Sequence, residues 1–199
     1  MTALRKTPIA LTPDAAPYAI RAERASDVVA REALLDACFG ENRHMRTCQR
    51  LRDGRTPAEG LALSAVARGK LVGTLRLWHV SAGGKPALML GPLAVEVTSR
   101  KLGVGAALMD HALAAAVARG HRAVILLGDA PYYARYGFSV AKTGELSLPG
   151  PFERDRLLGL ELREGALDGA WGMIAADGAL PKTKAARAKV LRPVPQHAA

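Results

Sequence analysis

"SRKLGVGAAL", Ser99 to Leu108, joins an apolar run to an alanine-rich one, and its reading decides the fold. Two glycines one residue apart, Gly103 and Gly105, stand where a helix should begin, directly after Arg100 and Lys101. Glycine is a poor helix former, so its place at a helix start needs another reason. The first turn of a helix carries N–H groups without internal partners, and the helix dipole favours negative charge there. Glycines let that backbone approach a ligand with no Cβ in the way. A strand, a basic pair, Gly-x-Gly and a helix together make an anion site, and its natural ligand is a phosphate or pyrophosphate. No Gly-Lys-Ser/Thr follows, so the stretch is not a P-loop. Leu108 stands where a dinucleotide fingerprint has its third glycine. The competing reading is a helix start that merely packs closely on a strand.

Outward from this point the chain alternates strands and helices. "PALMLGPLAVEV" (Pro86–Val97) is apolar almost throughout and reads as a central strand buried on both faces. The helix runs from about Gly103 to Arg119 and is capped by Gly120. "RAVILL" (Arg122–Leu127) is another buried strand, and "APYYARYGF" (Ala130–Phe138) a short helix ended by Gly137. Upstream, "LALSAVARGKLVGTLRLWHV" (Leu61–Val80) is a hairpin turning at Arg68-Gly69-Lys70. "YAIRAE" (Tyr18–Glu23) alternates as a first strand, and Ser26 reads as the N-cap of a helix that Gly40 ends. "ENRHMRTCQRLRDG" (Glu41–Gly54) fits a short amphipathic helix with Arg43, Arg46 and Arg50 on one face. "RLLGLELRE" (Arg156–Glu164) reads as a last strand. The order β-α-α-β-β-β-α-β-α-β-β predicts an α/β fold, a central mixed sheet flanked by helices.

The chain has 199 residues, 49% of them hydrophobic, enough for one domain with a real core. That domain is expected over residues 18–180, after a loose leader (1–17) and before a basic tail (181–199). The net charge is +10, and the tail "PKTKAARAKVLRPVPQHAA" carries five basic residues and no acid. Nucleic acid is thereby raised as a partner, but no aromatic residue is interleaved with the tail's basic ones, so a base-stacking surface is not favoured. "ALAAAVA" (Ala112–Ala118) is far too short to cross a bilayer, and the N-terminus has no signal-peptide pattern. Cys38 and Cys48 lack histidines at metal spacing, so no metal is expected, and free thiols suit a reduced, cytoplasmic protein.

Residues 100–106, Arg-Lys-Leu-Gly-Val-Gly-Ala, resemble the Arg/Gln-x-x-Gly-x-Gly/Ala signature of the GCN5-related N-acetyltransferases (GNAT). "YARYGF" (Tyr133–Phe138) is similar to that family's Tyr-x-x-x-Gly-Phe block, at the right distance. "LGPLAV", "GVGAALM", "LLGDAPYYARYGF" and "RLLGLELREGAL" look like the YhbS-like bacterial branch. The resemblance implies a GNAT acyl-CoA N-acyltransferase fold and acetyl-CoA as co-substrate. It places the pyrophosphate on Arg100, Lys101, Leu102, Gly103, Val104, Gly105 and Ala106, mostly through backbone N–H groups. Leu93 and Val95 match positions whose backbone pairs with the pantetheine arm. Tyr133 matches the general acid that protonates the leaving thiolate, a sensible role for a phenol that stays protonated at neutral pH. Tyr132 and Tyr136 read as structural.

The amine must lose a proton, and three groups offer themselves as base: Glu96, His79 and Asp129. Glu96-Val97 replaces the His-Pro or Asp-Pro common in the family, so a bound water or an already neutral amine competes with all three. Arg43, Arg46 and Arg50 hint at an acidic acceptor, a small-molecule amine or a protein or peptide, against the plainer reading of a solvated helix face. "SLPGPFERDRLLG" (Ser147–Gly159) is expected to form the other wall of the cleft, and the final strands could pair in a homodimer. The alternative function is a CoA-binding regulatory or nucleic-acid-associated protein with this fold and no turnover.

Overall fold

The computed structural model describes residues 17–181, so all but the innermost residue of both the expected leader and the basic tail lies outside the described residues. Among these the order is β1 (Ala19–Ala22), α1 (Val28–Phe39), β2 (Ala62–Ala67), β3 (Lys70–Ala82), β4 (Lys85–Val95), α2 (Val104–Ala118), β5 (Ala123–Leu127), α3 (Ala130–Ala134), β6 (Leu146–Ser147), β7 (Leu157–Glu161) and β8 (Gly172–Ala176). The strands form one mixed sheet in the order β1-β2-β3-β4-β5-β7, with β8 joining β3 and β6 pairing β8. All of the main path is antiparallel except β4–β5, which is parallel and is bridged by α2.

Residue type explains most of this. Arg68 and Gly69 both take positive φ, 47° and 77°, the geometry of a tight hairpin turn between β2 and β3. β4 and β5 are buried over most of their length, as a central pair covered on both faces must be. α2 buries Val104, Leu108, Met109, Ala112 and Ala116, a stripe of helical period. Gly73 on β3 lets that stripe close in, since a Cβ there would lie 2.9 Å from Val104 Cγ1 and 3.0 Å from Leu108 Cδ1.

Three expectations are corrected. Ser26 is not the cap of the first helix. Asp27 takes that corner: its carboxylate accepts from Arg21 Nη1 at 2.6 Å, Arg24 N at 2.8 Å and buried Ser64 Oγ at 3.0 Å. The Arg21 guanidinium, with Arg24 N–H and Ser64 added, holds the Asp27 carboxyl well below the usual carboxylate range. The second helix is not one helix but two 3₁₀ turns, Glu41–Met45 and Thr47–Leu51, broken at Arg46, whose backbone is extended. Thr47 Oγ1 and Arg50 Nη1 donate to the carbonyls of Pro151 and Pro149 at 2.5 and 2.6 Å, and these tertiary bonds override a short run's weak helical preference. β7 is not the last strand: β8 follows it, only five residues long, and pairs Val80–Ala82 of β3.

Candidate active site

β4 and β5 pair only at Leu88↔Val124 and Met89↔Ile125. Both strands run on beyond that point, and the sheet opens between them into a cleft of about 830 Å³. The opening starts at a bulge. Leu77 faces Leu90 and Leu75 faces Leu93, so Gly91 and Pro92 together stand opposite Arg76. Buried Trp78 holds the bulge, donating from Nε1 to the Gly91 carbonyl at 2.7 Å.

Past the bulge, the backbone of β4 turns toward the opening. The Val95 carbonyl accepts from Cys38 Sγ at 3.5 Å and Arg100 Nε at 3.4 Å, whereas the next amide, Glu96 N, donates across to Val72 of the hairpin. Strand alternation then puts the Leu93 and Val95 polar groups on the cleft side. A second cavity of about 410 Å³ lies along this edge, lined by Leu93, Val95, Arg100, Gly103, Gly105 and Ala106, with Arg135 among its other walls.

The opening glycines now have a geometry. A 3₁₀ turn, Val97–Leu102, intervenes after β4, and Gly103 reverses it in the left-handed region (φ 76°) as the N-cap of α2. The first helical hydrogen bond runs from Ala107 N to Gly103 O, so the N–H groups of Val104, Gly105 and Ala106 precede the helical ladder. A Cβ at Gly105 would sit 3.4 Å from Tyr132 Oη and 3.6 Å from Val95 Cγ2. The Val104 side chain belongs to the core, and the Lys101 and Leu102 side chains are exposed and outside the cavity lining. Any part Val104 takes is through its backbone.

Tyr133 projects from α3 into the larger cleft. It packs edge-on against Tyr132 and Phe138, with ring centroids 4.9 and 5.9 Å apart. Burial, with smaller contributions from Tyr132 and Asp129, pushes its phenol up to about 12. Tyr132, with Phe39 and Leu93, lines both cavities, its ring stacked under the Arg135 guanidinium at 4.2 Å.

The three basic candidates separate. Asp129, N-cap of α3, lines the cleft with Tyr133. Glu96 is exposed beyond the end of β4, 3.4 Å from Ser99 Oγ, and lines neither cavity. His79 also lines neither; its ring lies against His121, centroids 5.3 Å apart. A carboxylate not foreseen, Glu153, stands on the cleft wall with Pro151 and Phe152, where the Ser147–Gly159 segment was expected.

The arginines separate too. Arg43 lines the cleft but is paired with Glu32 and Asp36. Arg46 lines it with its guanidinium 5.1 Å over the Phe39 ring. Arg50 points away to Pro149 and does not line it. Arg52, unremarked in the sequence, does. Trp171 is 73% exposed and lines neither cavity. Among the described residues no group of three or more His, Cys, Asp or Glu could hold a metal ion. No described helix is long and apolar enough to cross a membrane.

A sheet opened between two parallel strands, with a glycine-led helix at the opening, is the architecture of the GNAT acyltransferases. The chain belongs to that family: the model of the acetyltransferase (GNAT) domain matches residues 19–141. Among its relatives is Escherichia coli YhbS, described as an uncharacterized N-acetyltransferase, 27% identical over 157 residues that make up 78% of this chain and 93% of YhbS. The crystal structure of YhbS from Escherichia coli in complex with CoA superposes with a TM-score of 0.71 at 28% identity, covering 83% of this chain and 93% of that one. A GNAT acetyltransferase from Brucella melitensis in complex with acetyl-CoA shares the fold, with a TM-score of 0.60 at 24% identity over 79% of this chain and 94% of its own.

Proposed function

We propose that this protein transfers an acetyl group from acetyl-CoA to a primary amine. One observation carries the reading: two cavities meet at Phe39, Leu93 and Tyr132, one against the Gly103–Ala106 helix start and the Leu93–Val95 edge, the other holding the Tyr133 phenol. The first suits the donor. Free N–H groups and Arg100 suit a pyrophosphate, and the unpaired β4 edge suits the amide-bearing pantetheine arm. The CoA complex of Escherichia coli YhbS supports the same donor.

In this reading the amine attacks the thioester carbonyl. The C–N bond forms and the C–S bond breaks. A backbone N–H on the Leu93–Val95 edge takes the charge developing on the carbonyl oxygen. Tyr133 gives its proton to the leaving thiolate, and its enclosed, strongly protonated phenol fits that task. Asp129 is our choice for receiving the amine proton, because of the original three carboxylate and imidazole candidates it faces the cleft. Glu96 and His79 would need another route to the substrate.

The test is calorimetric titration with acetyl-CoA, followed by CoA release over a panel of amines with the wild type and Tyr133→Phe. Micromolar donor binding in both, with turnover lost in the variant, is the expected result. Absence of donor binding overturns the reading. The alternative, a CoA-binding regulator without turnover, predicts donor binding with no amine accepted.

A further inference from the structure

Arg52 stands out among the arginines of the cleft. Arg43 is paired to two carboxylates, Arg46 lies over Phe39, and Arg156 is 3.6 Å from Glu153 and beside the Gly128 carbonyl. Arg52 has, among the described residues, no ion pair and no side-chain hydrogen bond. Its Nε is buried without a partner. Enclosure by protein pulls its pKa down, and its flanking groups do little to offset that. Asp53 acts on it only at a distance, since that carboxylate accepts from Gln49 Nε2 at 2.7 Å. Neighbouring Cys48 is buried, and burial pushes its thiol up, so it stays neutral. A guanidinium is not deprotonated in a protein, so a half-buried charge with a buried Nε is left without a carboxylate partner among the described residues.

Its position says what would compensate it. Arg52 Nη2 lies 3.3 Å from the point a Cβ would occupy at Gly91, and the amide nitrogen of Leu93 lies 3.9 Å from the same point. The cation therefore sits at the bulge, beside the strand edge assigned above to the thioester. Two residues of strand span about 7 Å, which sets the scale between a group on Arg52 and a carbonyl on Leu93.

We propose that Arg52 binds an anionic group of the acceptor, so that the substrate is a compact amine with its carboxylate or phosphate only a few atoms from the nitrogen. The lack of a Cβ at Gly91 lets the guanidinium of Arg52 close on the strand, and from there its fork donates to the oxyanion. The amine is then directed along β4 toward Leu93. Arg43, Arg46 and Arg50 are not the anchor, because each is already engaged within the fold. This proposal rests on the acetyltransferase reading and narrows its acceptor.

The experiment pairs each anionic amine with its neutral counterpart: amino acids with their carboxamides, and aminoalkyl phosphates with the corresponding amino alcohols. CoA release is measured with wild type, Arg52→Gln and Arg52→Lys, and acetyl-CoA binding is titrated separately in each. The expected wild-type preference for one anionic series is about tenfold to a hundredfold in kcat/KM, the size of a charge-assisted hydrogen bond. Arg52→Gln should shrink that preference to about threefold or less, mainly through KM for the acceptor, with Arg52→Lys retaining part of it and donor affinity unchanged. The series that shows the preference separates carboxylate from phosphate. Equal turnover of neutral and anionic partners by the wild type overturns the proposal without any variant. So does a preference that survives Arg52→Gln, or donor binding with no anionic amine accepted. Loss of donor binding in the wild type would instead fell the acetyltransferase reading itself.

Discussion

The ring of Tyr133 occupies the space that a side chain at Gly128 would need. A Cβ at Gly128 would lie 2.3 Å from Tyr133 Cε2 and 2.9 Å from Cδ2, closer than real contacts allow. Gly128 directly follows β5 and Tyr133 stands on the helix that comes next, so the aim of the phenol depends on the absence of one methyl group. Gly128→Ala should therefore displace the ring and lower kcat about tenfold or more, with acetyl-CoA affinity kept. Steady-state kinetics beside a donor titration checks this; unchanged kcat would show that the phenol's position does not matter.

Tyr133 also makes a pH prediction. A general acid must be protonated, and burial pushes this phenol up to about 12. The acid form then persists through the whole accessible range, and no alkaline fall in kcat should arise from it below about pH 10. Tyr133→Phe should cut kcat about a hundredfold at every pH. A wild-type descending limb centred well below pH 10, absent from the variant, would contradict the assignment.

The two glycines of the opening stretch should fail differently. Gly105 has no positive φ, and a side chain there enters the donor cavity toward Tyr132 and Val95. Gly105→Val should weaken acetyl-CoA binding by about tenfold or more, with helix propensity improving by about 0.5 kcal/mol or less. Gly103 sits at φ 76°, so Gly103→Ala should cost about 1 kcal/mol of stability from backbone strain. Isothermal titration and thermal unfolding of both variants separate blocked ligand from strained backbone.

Asp27 ties α1 to β1 and β2 through Arg21, Arg24 N and Ser64. Its folded-state pKa is depressed, chiefly by Arg21. The stability it supplies is therefore present above the unfolded carboxylate's pKa of about 3.9 and is lost as pH falls through that value toward the folded one. Asp27→Asn should cost about 2 kcal/mol at pH 7 and flatten the acid side of the stability curve. Circular-dichroism melts between about pH 3 and pH 7 would show both effects. A wild type and variant with parallel pH curves would rule the carboxylate out as the source.

Much of the donor side was legible because it is local. The apolar β4 run, the glycines after it and the stripe of α2 lie in one contiguous stretch, and each responds to backbone rules that act over a few residues. The Tyr133 block could be read for the same reason. The Glu41–Gly54 segment misled because its arginines have helical spacing, while Thr47 and Arg50 are bonded to a loop a hundred residues away. β8 carried too little pattern, with five residues and a single fully buried side chain, Ile174. His79 stands opposite Leu88, where β4 still pairs with β5, and Glu96 lies past the open end with its side chain exposed; neither placement can be read from position along a strand.

The sequence by itself determined the class of fold and the glycine-led start of α2 with its free N–H groups, because helix starts and missing Cβ atoms are properties of neighbouring residues. The tertiary structure decided the acceptor side. The cleft is walled by the 3₁₀ turns after α1, the β4 bulge, the end of β5 with α3, and the segment before β7. Which arginines are neutralised there depends on how the turns after α1 fold back: Glu32 and Asp36 of α1 reach Arg43, while among the described residues no carboxylate pairs with Arg52. Charge compensation is a property of three-dimensional neighbours, and only the folded chain shows which cation is left for a ligand.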